Sequence, residues 1–138
     1  MSTSTQSVTS EFMLFFRGPN WDKGLSAEEL QQVMGRVMSW FDSLKQQGRI
    51  KAGQPLGEER KIVSAKKGQP FADGPYAESK EAIGGYLVVQ ARDLDEAAAI
   101  AQTCPNLEYG VSIEVRPVLE ECPTFQRAQK QLLTSVSA

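Results

Sequence analysis

Val111-Ser112-Ile113-Glu114-Val115-Arg116 alternates apolar and polar residues without a break. Successive side chains of a strand point to opposite faces of a sheet, so Val111, Ile113 and Val115 share one face and Ser112, Glu114 and Arg116 share the other. A strand of this kind belongs to a sheet with a core on one side and water or a second subunit on the other. That pattern marks an antiparallel sheet, because parallel strands buried on both faces read as continuous apolar runs.

Working back from this strand, Asp93-Leu94-Asp95-Glu96 has the form of a helix cap with extra acid in the first turn. The helix runs through Ala97 to Thr103 and ends before Pro105, with Leu94, Ala97, Ile100, Ala101 and Cys104 as its packing face. Tyr86-Leu87-Val88-Val89 is a β-prone run placed after the break at Gly84-Gly85. Near the start, Phe12 to Phe16 reads as a first strand, closed by Arg17-Gly18-Pro19-Asn20. Ser26-Ala27-Glu28-Glu29 then has the S-x-x-E form of a capping box. Leu30, Val33, Met34, Val37, Met38, Phe41 and Leu44 recur at helical spacing behind it and set one apolar stripe against a core, opposite Arg36, Ser39 and Asp42. Gly48 is the natural stop. Between the two helices the spacing predicts a short strand at Ile50 to Gly53, a strand at Arg60 to Ala65 turning into Pro70-Phe71-Ala72 as a hairpin, a tight turn at Asp73-Gly74-Pro75, and one helical turn over Ala77 to Ile83.

The order is strand, helix, strands, helix, strand, the βαββαβ pattern of an α+β, ferredoxin-like sandwich with two helices on one face of an antiparallel sheet. Residues 1–10 are expected to form a flexible N-terminal tail, residues 11–118 one domain, and residues 119–138 a C-terminal extension. A terminal helix starting near Pro123, with Phe125, Leu132 and Leu133 on a sparse apolar stripe, fits packing against a partner subunit. The uncovered sheet face calls for either solvent or the same face of a second copy, so a homodimer is expected.

A length of 138 residues leaves room for one domain, and 41% apolar with 23% charged residues is the composition of a folded, soluble chain. With 15 basic and 17 acidic residues the chain lacks the footprint of a nucleic-acid or membrane-surface binder. No secretory signal or spanning segment is legible, so the expected location is the cytoplasm. The sequence contains no histidine. Ser-His-Asp and Cys-His constellations, three-histidine zinc sites and the H-E-x-x-H helix are therefore excluded. Cys104 and Cys122 are too few for a zinc cage, lack CxxC spacing and read as reduced thiols, so neither a metal nor another cofactor is expected.

Asp73-Gly74-Pro75-Tyr76-Ala77-Glu78-Ser79-Lys80-Glu81, Gly84-Gly85-Tyr86 and Ile113-Glu114-Val115-Arg116-Pro117-Val118 together resemble the YCII-related family, DGPF-domain subgroup, with Tyr76 in the phenylalanine position. The likeness covers about Phe12 to Val118. It implies a ferredoxin-like fold that pairs into a dimeric α/β barrel, in bacterial proteins that mostly carry no assigned activity. The wider family includes a dehydrochlorinase-like enzyme and members with a proposed His-Asp pair, and some DGPF proteins are associated with extracytoplasmic-function sigma factors. Where many DGPF relatives carry a histidine after the second helix, this chain has Cys104-Pro105-Asn106-Leu107, with Asn106 as the replacement.

Two functions fit these residues. One is a ligand-binding or signalling-partner domain with a polar pocket at or near a dimer interface, using Arg116, Lys80, Tyr86 and Ser112 to hold a small molecule. The other is a metal-free lyase- or isomerase-like enzyme with Asp73 or Glu114 as base, Tyr76 as acid and Arg116 as anion holder. Each residue also has a structural role open to it. Asp73 can bond its own backbone in the turn, Glu78, Lys80 and Glu81 can form local ion pairs, Glu114 and Arg116 can pair across an interface, and Tyr86 can fill the core.

Overall fold

A computed structural model of the chain describes residues 8–18, 20–63, 65 and 83–136. Strand β1 (Ser10–Arg17) leads to helix α1 (Ala27–Gln46), followed by β2 (Ile50–Pro55), β3 (Ile83–Ala91), α2 (Leu94–Gln102), a 3-10 helix η1 (Pro105–Tyr109), β4 (Ser112–Pro117) and α3 (Pro123–Val136). The strands form one four-stranded sheet in the order β2-β3-β1-β4, and β1 pairs antiparallel with both β3 and β4, as β2 does with β3. Both helical crossovers therefore skip over one strand, as the expected β-α-β-β-α-β order requires. Among the described residues no helix is long and apolar enough to cross a membrane.

The helix ends form where the sequence places them. Ser26 accepts from the Glu29 backbone N–H at 3.1 Å, and the Glu29 carboxylate accepts from the Ser26 N–H at 2.9 Å, which completes the capping box of α1. At its far end Gly48 adopts φ +72°, the left-handed conformation that glycine enters without a Cβ penalty. Asp93 caps α2 by accepting from the Glu96 N–H at 2.8 Å. The C-terminal helix starts at Pro123 as expected, and the Gln126 N–H donates to the Cys122 carbonyl at 3.0 Å.

Phe12 and Leu14 of β1 with Leu87, Val89 and Ala91 of β3 form the buried face of the sheet, and Trp40 and Leu44 of α1 with Ala97, Ala101 and Cys104 close the core above them. Ile113 and Val115 pack against this cluster from β4, as the alternation predicts. Trp40 corrects the sequence reading of α1. The buried line is Val33, Val37, Trp40 and Leu44, whereas Met34 and Met38, placed in the stripe from sequence, are exposed. The indole meets Phe16 edge-on with ring centroids 6.5 Å apart and donates through Nε1 to the Thr103 hydroxyl at 2.7 Å. A tryptophan can be buried this way because its N–H finds a partner. Leu94, expected on the packing face of α2, is likewise exposed.

The segment between β2 and β3 differs from expectation. Residues 60–63 and 65 are not in a strand, so no strand occupies Arg60 to Ala65 as described, and the proposed partner Pro70-Phe71-Ala72 lies outside the described residues, as does the turn at Asp73-Gly74-Pro75. Ile83 belongs to β3 and not to a helical turn, and Gly84-Gly85 lies within that strand instead of breaking the chain before it. The reason is close packing. A Cβ on Gly85 would stand 3.2 Å from the Gln54 carbonyl oxygen and 3.4 Å from Pro55 Cα. Both edge strands finish on proline, β2 at Pro55 and β4 at Pro117, positions that need no inward N–H.

Candidate functional site

Alternation along the strands puts a second set of residues on the sheet face away from α1 and α2. Backbone register arranges them in rows. Gln54, Tyr86, Phe15 and Glu114 stand side by side on β2, β3, β1 and β4, and Ala52, Val88, Met13 and Arg116 form the next row. Arg17 is paired with Ser112 one step further along. At about 4.8 Å between strands each row spans about 14 Å, the scale of a small-molecule ligand or a packed helix. Val88 is buried, and Met13, Phe15 and Tyr86 are half-buried, so the middle of this face is apolar while its margins are charged.

Of the residues singled out from sequence, four come together here: Tyr86 on β3 and Ser112, Glu114 and Arg116 on β4. Asp73, Tyr76 and Lys80 lie outside the described residues, as do Glu78 and Glu81. Sequence reasoning missed Arg17. Its guanidinium Nη2 donates to Glu114 Oε1 in a close ion pair across β1 and β4. The signal was present in the strand period, since Arg17 continues the Met13-Phe15 side of β1 and therefore shares a face with Glu114. Glu11, on the same side of β1, pairs with Lys51 at 3.3 Å at the opposite margin. Arg116 is exposed and makes no ion pair with any described residue.

The arrangement offers a planar guanidinium beside an apolar floor. Such a fork recognises a carboxylate or phosphate through paired N–H donors, and Met13, Phe15 and Tyr86 supply contact area for an apolar body. Glu114 is already committed to Arg17, so its carboxylate is oriented across the strands. Among the described residues no group of three or more histidine, cysteine, aspartate or glutamate side chains is placed to hold a metal.

Two other polar clusters hold elements in place. Glu96 on α2 accepts from Arg49 Nη1 at 3.1 Å, from the Arg92 backbone N–H at 2.7 Å and from Arg92 Nε at 3.1 Å, and Arg49 also donates to the Gln90 carbonyl at 3.2 Å. These donors hold the Glu96 carboxyl at about 2 instead of 4.5, the Arg92 backbone N–H contributing most and the Arg49 hydrogen bond next. At η1, Cys104 Sγ lies 2.8 Å from Asn106 Oδ1, so Asn106 sits at the edge of the core beside a buried thiol. Burial pushes that thiol upward, against the Asn106 backbone N–H, whereas the backbone N–H groups of Phe125 and Thr124 lower exposed Cys122. Neither cysteine is in a disulfide.

No curated protein matches the chain. Among solved structures, a chlorohydroxyhydroquinone dehydrochlorinase (5-chloro-2-hydroxyhydroquinone dehydrochlorinase, TftG) of Burkholderia phenoliruptrix AC1100, in complex with 2,5-dihydroxybenzoquinone, is similar at 14% identity and a TM-score of 0.47, covering 80% of this chain and 95% of that one. The model of the YCII-related domain matches residues 14–121, from the middle of β1 to the turn before α3. With more than three quarters of its length inside that match, the chain belongs to the YCII-related domain family.

Proposed function

We propose that the protein is a small-molecule-binding domain of the DGPF type whose ligand is a small carboxylate with an apolar or aromatic body, held on the open sheet face of a homodimer. The observation that carries this reading is Arg116, a guanidinium without an ion-pair partner among the described residues, in register with Met13 and Val88 on a face that no described helix covers. The carboxylate would take the Arg116 fork, Ser112 would donate or accept at its margin, and the body would lie over Met13, Phe15 and Tyr86. A second copy over the face would exclude water and strengthen the charge-assisted contact. The binding role is favoured over an enzyme with Glu114 as base because Glu114 is occupied by Arg17 and would have to be released to take a proton.

A thermal-shift series with aliphatic and aromatic carboxylates tests the proposal, since a ligand bound only by the folded state raises the melting temperature by mass action. At least one aromatic acid is expected to stabilise the wild-type protein, and Arg116→Met to lose that shift while its ligand-free melting temperature stays unchanged. An Arg116→Met protein that keeps the full shift would remove the assignment. Product formation on prolonged incubation with the stabilising acid would instead establish the enzyme.

A further inference from the structure

Two carboxylates stand beside Arg116 on its side of the sheet, and both are held by other cations. Glu114 precedes Arg116 by two residues on β4, so the two side chains leave the strand about 7 Å apart. Glu11 precedes Met13 by two residues on β1, and Met13 is the register partner of Arg116, which makes Glu11 its diagonal neighbour at about 7–8 Å. Long side chains reach across either gap. Yet Arg17 takes Glu114, and Lys51 takes Glu11 at 3.3 Å.

Reach does not account for this choice. Arg17 stands opposite Ser112 and crosses a diagonal to Glu114, a step of the same size as the one between Glu11 and Arg116. Packing does not account for it either, since the Glu114 and Glu11 side chains keep 41% and 40% of their surface exposed and are free to turn. We infer that Arg17 and Lys51 are positioning residues for anion binding: each draws off a carboxylate that would otherwise turn onto Arg116, and the guanidinium fork stays available to an anionic ligand. The inference rests on the reading of Arg116 as the ligand's anchor and adds the residues that select for negative charge.

The charges explain how the selection works. Arg17, Lys51 and Arg116 against Glu11 and Glu114 leave one positive charge over, and the two pairings place it at Arg116. Without Arg17, Glu114 turns to Arg116, takes N–H donors that a ligand carboxylate needs, and sets a like charge about 7 Å from the bound anion. A unit charge at that distance weakens binding by about 3-fold at the dielectric of water and by about 50-fold at an effective dielectric of about 20. A neutral ligand of the same shape feels none of this.

Calorimetric dissociation constants for benzoate, phenylacetate and cinnamate, each beside its neutral amide, test the inference on the full chain. Arg17→Met should weaken the acids by about 3- to 50-fold and leave the amides unchanged. Glu114→Gln should bind the acids at least as tightly as wild type, and Arg17→Met combined with Glu114→Gln should return them to the wild-type value. Lys51→Met and its rescue by Glu11→Gln should repeat the pattern at the second carboxylate. A merely structural role for Arg17 would weaken acid and amide alike and would not be reversed by Glu114→Gln, so either result overturns the inference. Glu114→Gln binding the acids more weakly than wild type would overturn it as well, and that variant carries the test if Arg17→Met does not fold. The two readings fail separately: acid binding that Arg116→Met leaves intact, or no binding by any acid of the series, removes the ligand site and this inference with it, whereas Arg116-dependent binding indifferent to Arg17 and Lys51 removes the inference alone.

Discussion

Glu96 shows how much a single side chain can tie together in a domain of this size. Its carboxylate collects donors from Arg49, ahead of β2, and from Arg92, just after β3, while its own backbone N–H serves the Asp93 cap. The carboxyl is lowered from 4.5 to about 2, so the folded state favours the ionised form. A group with a depressed folded-state value contributes stability that is complete above the unfolded value and is lost as pH falls through the folded one. Denaturant midpoints of the wild type should therefore drop between pH 4.5 and about 2. Glu96→Gln should be less stable above that window and show a flatter acid limb within it. Equal slopes for the two proteins would show that the network does not couple to folding. Trp40 illustrates the opposite legibility. Its burial was hidden because the neighbouring methionines satisfied the same helical period, and only the Thr103 hydroxyl that receives its N–H settles which side faces inward.

At the scale of elements, the strands and caps were readable where local chemistry and tertiary packing agree. Ser26 to Glu29, Gly48, Asp93 and the alternating Ser112 to Arg116 each carry a physical instruction in a few residues, and each forms the element it specifies. The failure came at glycine. Gly84-Gly85 reads as a break because glycine is weak in an isolated strand, yet in β3 the missing side chain of Gly85 lets β2 come close. Gly53 obeys the same rule from the other strand. A Cβ there would lie 2.7 Å from Leu87 Cδ1 and 3.0 Å from the Tyr86 carbonyl oxygen, with Leu87 itself buried in the core. Gly53→Ala should cost about 1–3 kcal/mol through overpacking at this contact, measured as a lower denaturant midpoint with an unchanged slope. Unchanged stability would mean that β2 can shift away without loss. Arg17 was missed for a related reason: its ion pair with Glu114 joins residues 97 positions apart, and only the β1–β4 register brings them together.

For the whole molecule, one face of the sheet is explained by the core that α1 and α2 bury, and the other is the face on which the proposed ligand and second copy would lie. Folding linked to association makes apparent stability depend on protein concentration. If two copies pair as proposed, the wild-type melting temperature should rise with protein concentration. A concentration-independent wild type would mean a chain that folds and melts alone. The site was legible from sequence only in part. Strand alternation placed Ser112, Glu114 and Arg116 on one face, but their apolar floor comes from β1 and β3, which the order of strands alone brings alongside.

The prolines that finish β2 and β4 bear on how far assembly can go. A sheet with two bare edges invites further strands to join end over end into open-ended stacks. Among the described residues each outer strand stops on a residue with no N–H to offer, Pro55 on one side and Pro117 on the other, so an added edge strand could not extend its ladder past either proline. A face is used up once it is covered, so copies that meet there close on each other and leave no end from which a fibre could grow.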